Sequence, residues 1–72
     1  MTYTEACALL EVSTSATLDE IQESYSLKMG FYSPEKYESD PKAAEYAERM
    51  TKKLTAAWEY VQKNYETEND AA

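Results

Sequence analysis

The longest regular pattern in the sequence is an apolar stripe in its second half, where hydrophobic residues recur at alternating steps of four and three. Its members are Ala43, Ala47, Met50, Leu54, Ala57, Val61 and Tyr65, with Trp58 beside them. These steps place the side chains on one face of an α-helix. Asp40-Pro41 indicates the start, since an acidic cap followed by proline at the first helical position is typical. The sequence therefore predicts a long helix over about 41–65, packed along its length against an antiparallel neighbour.

Two capping boxes predict the remaining helices. Thr17 and Glu20 form the stronger box, and a helix should run from about Leu18 to Phe31. Its apolar positions, again at steps of three and four, are Leu18, Ile21, Tyr25, Met29 and Tyr32. Thr2 and Glu5 form the other box, which predicts a first helix from about Tyr3 to Glu11. Its expected apolar contacts are Leu9, Leu10 and Val12, with Ala6 close to the same face.

The fold class that follows is all-α, a short first helix packed across an antiparallel hairpin of two longer helices. One glycine and two prolines among 72 residues leave few turn breakers, and a chain this short builds one small core. We expect a helical domain over residues 1–65 and a disordered acidic tail over 66–72. Cys7 reads as a small buried hydrophobe. Tyrosines expected in the core are Tyr25, Tyr32 and Tyr65; those expected at the surface or an interface are Tyr3, Tyr37, Tyr46 and Tyr60.

The composition argues against several classes of function. A net charge of −7 disfavours binding to nucleic-acid phosphates or to an anionic membrane, and favours a neutral or basic protein partner. The chain has no histidine, no Gly-rich phosphate loop and no calcium loop, so we expect no enzyme, metal, cofactor or small-molecule substrate. A single cysteine, with no apolar span and no signal peptide, leads us to expect a reducing, cytoplasmic location.

The predicted elements are, in order, a short helix, a long helix, a loop with the pattern X-Pro-acid-Lys and a second long helix. This order resembles the J-domain of the DnaJ (Hsp40) co-chaperone family over about residues 4–63. Near the N-terminus, the matching segments are Leu10-Glu11-Val12 for the family's Leu-Gly-Val and Ala16-Thr17-Leu18-Asp19-Glu20-Ile21 for Ala-Ser-x-x-Glu-Ile. In the second helix, Tyr25 and Tyr32 match the two tyrosines of the family's Ala-Tyr-Arg-x-Leu-Ala-x-x-Tyr. In the loop, Tyr32-Ser33-Pro34-Glu35-Lys36 stands where the family has Tyr-His-Pro-Asp-Lys. In the last helix, Leu54-Thr55-Ala56-Ala57-Trp58-Glu59-Tyr60-Val61 is similar to Ile-Asn-x-Ala-Tyr-x-x-Leu.

The departures from the family bear on function. In the family, His-Pro-Asp is required to stimulate ATP hydrolysis by Hsp70, and here Ser33 and Glu35 replace its histidine and aspartate. The family's second helix is basic outside, whereas here those positions hold Gln22, Glu23, Ser26, Leu27 and Phe31. The resemblance therefore implies a non-catalytic J-like interaction module that does not stimulate Hsp70. The alternative is a functional Hsp70 co-chaperone with a tolerated variant tripeptide, and a third class is an acidic domain that mimics nucleic acid or binds a basic protein.

The candidate site lies where the second helix runs into the loop of about 32–39. Its predicted partner-binding residues are Leu27, Lys28, Phe31, Ser33, Pro34, Glu35 and Lys36. The expected partner is a protein: an Hsp70-type chaperone, another J-domain protein or an unrelated protein. Leu27 and Phe31 are one turn apart and lie away from the predicted core face. The alternative is structural: the helix rotates, Leu27 fills the core position that Lys28 occupies in place of a family leucine, and Phe31 folds over the loop.

Overall fold

The computed structural model describes residues 1–70, and the side chains of these residues apart from those of Pro34 and 68–70. The chain forms α1 (Tyr3–Leu9), α2 (Leu18–Phe31), a short 3₁₀ helix (Pro34–Tyr37) and α3 (Pro41–Asp70). No strand occurs within residues 1–70. The predicted all-α class is confirmed, and so are the bounds of α2 and the first residue of the long helix.

Side-chain caps fix the helix starts. At α2 the capping box is complete: the Thr17 amide donates to Glu20 Oε1 (3.0 Å), and the Glu20 amide donates to Thr17 Oγ1 (3.2 Å). The hydrogen bond from the Thr17 backbone amide, followed by the Thr17 side chain, lowers the pKa of the Glu20 carboxyl. A depressed pKa means that this cap stabilises the fold above the ordinary glutamate pKa and is lost as the pH falls through the folded value.

The caps of the other two helices are simpler. At α1 the Glu5 amide donates to Thr2 Oγ1 (3.1 Å), but the Glu5 carboxylate accepts from the Thr2 hydroxyl rather than from the Thr2 amide. The predicted box is therefore half formed. At α3 the Ala43 amide donates to Asp40 Oδ1 (3.3 Å), which is the acidic cap that the sequence predicts.

Two predicted helix ends differ from the structure. α1 ends at Leu9, two residues before Glu11, because Glu11 adopts a left-handed conformation with φ of 56°. α3 ends at Asp70 rather than at Tyr65. The predicted end was wrong because it rested on the loss of the apolar stripe, whereas residues 66–70 contain neither glycine nor proline and a helix already formed extends readily. Ala71 and Ala72 of the predicted tail lie outside the described residues.

The core lies where the three helices meet. Its buried side chains are Tyr3, Ala6, Cys7, Leu10, Ile21, Leu54, Ala57 and Val61. The predicted faces of α2 and α3 supply their share, and Cys7 is buried as expected. Tyr3, expected at the surface, is only 5% exposed. The expectation was wrong because Tyr3 begins a face at spacings of three, four and seven, which continues through Ala6, Cys7 and Leu10.

Aromatic contacts show how the long helices are paired. Tyr25 stacks on Trp58 with ring centroids 5.5 Å apart, and Tyr32, further along α2, meets Tyr46, earlier on α3, edge to face at 6.0 Å. α2 and α3 therefore run antiparallel, as predicted. α1 packs against α3, and the Ser24 hydroxyl of α2 donates to the Leu10 carbonyl at the end of α1 (2.6 Å). At 1.5 Å per residue, α3 is about 45 Å long, which accounts for the longest dimension of the molecule, 46 Å.

Candidate functional site

Two large apolar side chains project from the outward face of α2. Leu27 is 62% exposed and Phe31 is 66% exposed. Helical spacing places Leu27 about 120° and Phe31 about 80° around the helix from buried Ile21. We call Leu27 and Phe31 the outer patch. The structural alternative, in which Leu27 fills the core and Phe31 covers the loop, is wrong because neither side chain is buried. Gly30 beside them is also open, since a Cβ added there would meet nothing within 4 Å.

Lys28 has a different role from the one predicted. Its side chain is only 18% exposed, and Nζ lies 2.8 Å from Glu11 Oε2. The ion pair joins the last turn of α2 to the segment just after α1. The one basic residue predicted in this turn of the site therefore faces the seam between α1 and α2 instead of joining the outer patch.

The backbone around Glu11 explains why its carboxylate reaches Lys28. The Glu11 amide donates to the Ala8 carbonyl (3.1 Å) and the Val12 amide donates to the Cys7 carbonyl (2.9 Å). These two bonds form a Schellman motif, and its left-handed residue is normally glycine. Glu11 accepts that conformation, with φ of 56°. This cap was not predicted from the sequence, because position 11 holds glutamate instead of the glycine that usually marks such a motif.

The loop after α2 folds back toward Phe31. The Lys36 amide donates to the Ser33 carbonyl (3.1 Å), which closes the 3₁₀ turn. The Tyr37 hydroxyl donates to the Phe31 carbonyl (3.0 Å) and fastens the turn to the last residue of α2. Ser33 is half-buried, while Glu35 and Lys36 are exposed. Tyr37, which was not among the predicted site residues, thus holds the loop beside the outer patch.

A depression of about 470 Å³ adjoins the outer patch. One wall is the connector between α1 and α2, and the other wall is formed by residues 20–27 of α2. Its lining residues are Val12, Ser13, Ser15, Ala16, Glu20, Glu23, Ser24 and Leu27. Leu27 belongs to both features, so the outer patch continues into the depression.

The charge around this surface is mainly acidic. Glu20 and Glu23 line the depression, and Glu11 remains 74% exposed although it pairs with Lys28. None of the lining residues is basic. An exposed apolar pair beside acidic groups is suited to contact with another protein, where apolar burial supplies affinity and charge selects the partner.

Comparisons with protein-family models, with curated proteins and with solved structures find no match to this chain. Within residues 1–70, none of the helices combines the length and the apolar composition needed to cross a membrane.

Proposed function

We propose that this protein is a non-catalytic J-like interaction module that acts as an adaptor or regulator in a chaperone-related assembly and does not stimulate the Hsp70 ATPase. The observation that carries the proposal is the outer patch. Leu27 and Phe31 are exposed on the outward face of α2, where the J-domain family carries basic residues that contact Hsp70. A surface that is apolar where the J-domain family is basic is suited to a different partner.

Electrostatics support the loss of Hsp70 stimulation. The family's basic face docks on an acidic surface of Hsp70, but here Glu20 and Glu23 point to solvent from α2. Lys28 does not offset them because its ammonium is paired with Glu11 at 2.8 Å. Like charges facing each other across an interface oppose binding. Ser33 also lacks the imidazole of the family's tripeptide.

The J-like assignment itself draws support from what the matching residues do. Glu11, which stands at the glycine of the family's Leu-Gly-Val, has φ of 56°, a value that glycine adopts most readily. Tyr25 and Tyr32 both pack against α3, and Pro34 is the first residue of the 3₁₀ turn between the long helices. The residues at the matching positions therefore have structural roles that are consistent with the resemblance.

The direct test is a single-turnover ATPase assay with the Hsp70 of the same host and one of its active J-domain proteins as positive control. We expect the wild-type chain to leave ATP hydrolysis at its basal rate. Clear stimulation that Pro34→Ala abolishes would overturn the proposal and identify a working co-chaperone with a variant tripeptide.

A restoration series separates the two departures from the family. The double variant Ser33→His with Glu35→Asp restores the tripeptide, and we expect no stimulation because the outward face of α2 is still acidic and apolar. Adding Glu23→Lys and Leu27→Arg should then give measurable stimulation. If the tripeptide alone suffices, the face of α2 is not what prevents Hsp70 engagement.

The binding half of the proposal needs its own assay. Purified J-domain proteins of the host are titrated against the labelled chain, and Leu27→Ala and Phe31→Ala should each weaken the complex. Gln22→Ala is the matched control, since Gln22 is exposed elsewhere on α2. Binding that none of these substitutions changes would exclude the outer patch as the interface.

A further inference from the structure

We propose that the depression beside the outer patch binds a basic segment of the partner, with an apolar side chain of that segment seated between the α1–α2 connector and Leu27. This inference rests on the proposed function, because it specifies the chemistry of the partner that the module holds. It adds the connector residues Val12 and Ala16 to the interface, which the predicted site did not include.

The depression is large enough to admit an anchor side chain. Its volume, about 470 Å³, lies in the range of roughly 300–1,000 Å³ that is usual for ligand pockets. Val12 and Ala16 supply apolar surface on the connector wall, and both pack against the core. Leu27 supplies apolar surface on the opposite wall. An aliphatic side chain would therefore contact apolar groups from both walls.

The connector wall is ordered before any partner arrives. The Ser15 amide donates to Ser13 Oγ (3.1 Å), the two serine hydroxyls are 2.8 Å apart, and the Ala16 amide donates to the Ser13 carbonyl (3.1 Å). The Ser24 hydroxyl ties α2 to the end of α1 at 2.6 Å. A preformed site reduces the entropy that binding must overcome.

Charge defines the class of occupant. Glu20 and Glu23 line the depression, and no basic residue lines it. The carboxylate of Glu20 accepts a hydrogen bond from the Thr17 amide, which holds it in place and lowers its pKa. Two negative groups beside apolar walls complement a segment that carries lysine or arginine next to its anchor.

A second copy of this chain is a poor occupant. A two-fold contact through this surface would set two acidic surfaces against each other, and each copy carries a net charge of −7. The outer patch contributes only two large apolar side chains, Leu27 and Phe31. A stable interface usually buries about 800 Å² on each partner. Charge therefore favours a basic partner of different sequence.

The experiment is an NMR titration of the isotope-labelled chain with synthetic peptides. The probe is a lysine-rich peptide with one central leucine; the controls replace that leucine by serine, or every lysine by glutamate. We expect amide shifts confined to residues 11–17 and 20–31 for the probe, weaker binding without the leucine, and none for the acidic peptide. The affinity for the probe peptide should fall about tenfold when the salt concentration is raised, because salt screens the attraction between its lysines and the acidic residues of the depression.

Matched charge reversals locate the site. Glu23→Lys should weaken binding about tenfold, whereas Glu66→Lys, the same charge change at an exposed site near the end of α3, should have little effect. Leu27→Ala should also weaken binding about tenfold. Preserved peak dispersion in the NMR spectrum shows that each variant is folded. If Glu23→Lys disturbs the helix, Glu23→Gln replaces it as the test variant.

Three results would overturn the proposal: no binding of the leucine peptide at about 1 mM, shifts spread over the acidic residues of α3, or equal losses from Glu23→Lys and Glu66→Lys. The last two would indicate attraction by net charge alone. These failures leave the proposed function intact if the chain still binds a J-domain protein through the outer patch without stimulating Hsp70. Conversely, stimulation of Hsp70 by a chain that binds the peptide here would overturn the proposed function and keep the site.

Discussion

Both faces of α2 carry large apolar side chains, which are buried on one face and exposed on the other. On the inward face Ile21 is fully buried, and Tyr25 and Tyr32 each meet an aromatic ring of α3. On the outward face Leu27 and Phe31 are more than half exposed. The difference does not come from the hydrophobicity of these side chains, because each face carries large apolar residues. It comes from whether α3 presents a complementary side chain, and α3 has only one apolar stripe to offer.

This contrast separates stability from recognition within a single helix. Inward residues are expected to determine the free energy of unfolding, since their contacts are removed from water on folding. Outward residues contribute little to the fold and remain available to a partner. Substitutions on each face can therefore test the division directly.

The largest effect is expected from Ile21→Ala. The Ile21 side chain has no exposed surface, and replacing a buried isoleucine by alanine typically lowers the free energy of unfolding by about 2–5 kcal/mol. Urea denaturation followed by circular dichroism measures the change. Gln22→Ala, on an exposed neighbour, should stay within about 0.5 kcal/mol. Equal losses from the two substitutions would mean that α2 is not packed as described.

A smaller effect isolates the aromatic pairing of the inward face. Tyr25 and Trp58 stack at 5.5 Å with an interplanar angle of 16°. A double-mutant cycle with Tyr25→Leu and Trp58→Leu should give a coupling free energy of about 0.5–1.5 kcal/mol. Tyr25→Phe accounts for the hydroxyl, which lies 3.4 Å from Thr55 Oγ1. Additive losses would show that the rings do not interact.

The seam between α1 and α2 gives a third test, at Glu11. Glu11→Gly should relieve a left-handed conformation that costs roughly 1 kcal/mol in a residue other than glycine, but it also removes the ion pair with Lys28. Glu11→Gln removes the charge and keeps the conformational cost. We therefore expect Glu11→Gly to be more stable than Glu11→Gln by about 1 kcal/mol in thermal and urea unfolding. No difference between them would mean that the helix ends without strain at Glu11.

Much of the fold could be predicted from the sequence because local signals agree with tertiary packing. The Thr17 capping box, the apolar stripes and Asp40-Pro41 fixed α2 and the start of α3. The errors arose where a local rule was applied alone. Tyr3 was assigned to the surface although it shares a helical face with Ala6 and Cys7, and α3 was ended where its stripe stops although nothing breaks the helix there.

Less of the candidate site could be predicted. The exposure of Leu27 and Phe31 was one of two open alternatives, since helical spacing places them on a face but does not show whether another element covers it. The depression was not predicted because its walls come from a connector and a helix that meet only in three dimensions. Lys28 was predicted to bind a partner because the sequence did not reveal its ion pair with Glu11. That pair forms where Glu11 adopts a left-handed backbone conformation.

The smallest expected effect on stability belongs to the outer patch and distinguishes the two faces most clearly. Leu27→Ala and Phe31→Ala remove side chains that are 62% and 66% exposed, and alanine favours the helix. Each should change the free energy of unfolding by no more than about 0.5 kcal/mol, measured as for Ile21→Ala. The same proteins should bind a J-domain partner more weakly than Gln22→Ala does. A loss of stability close to that of Ile21→Ala would show that these side chains belong to the core, and the division between the faces of α2 would then fail.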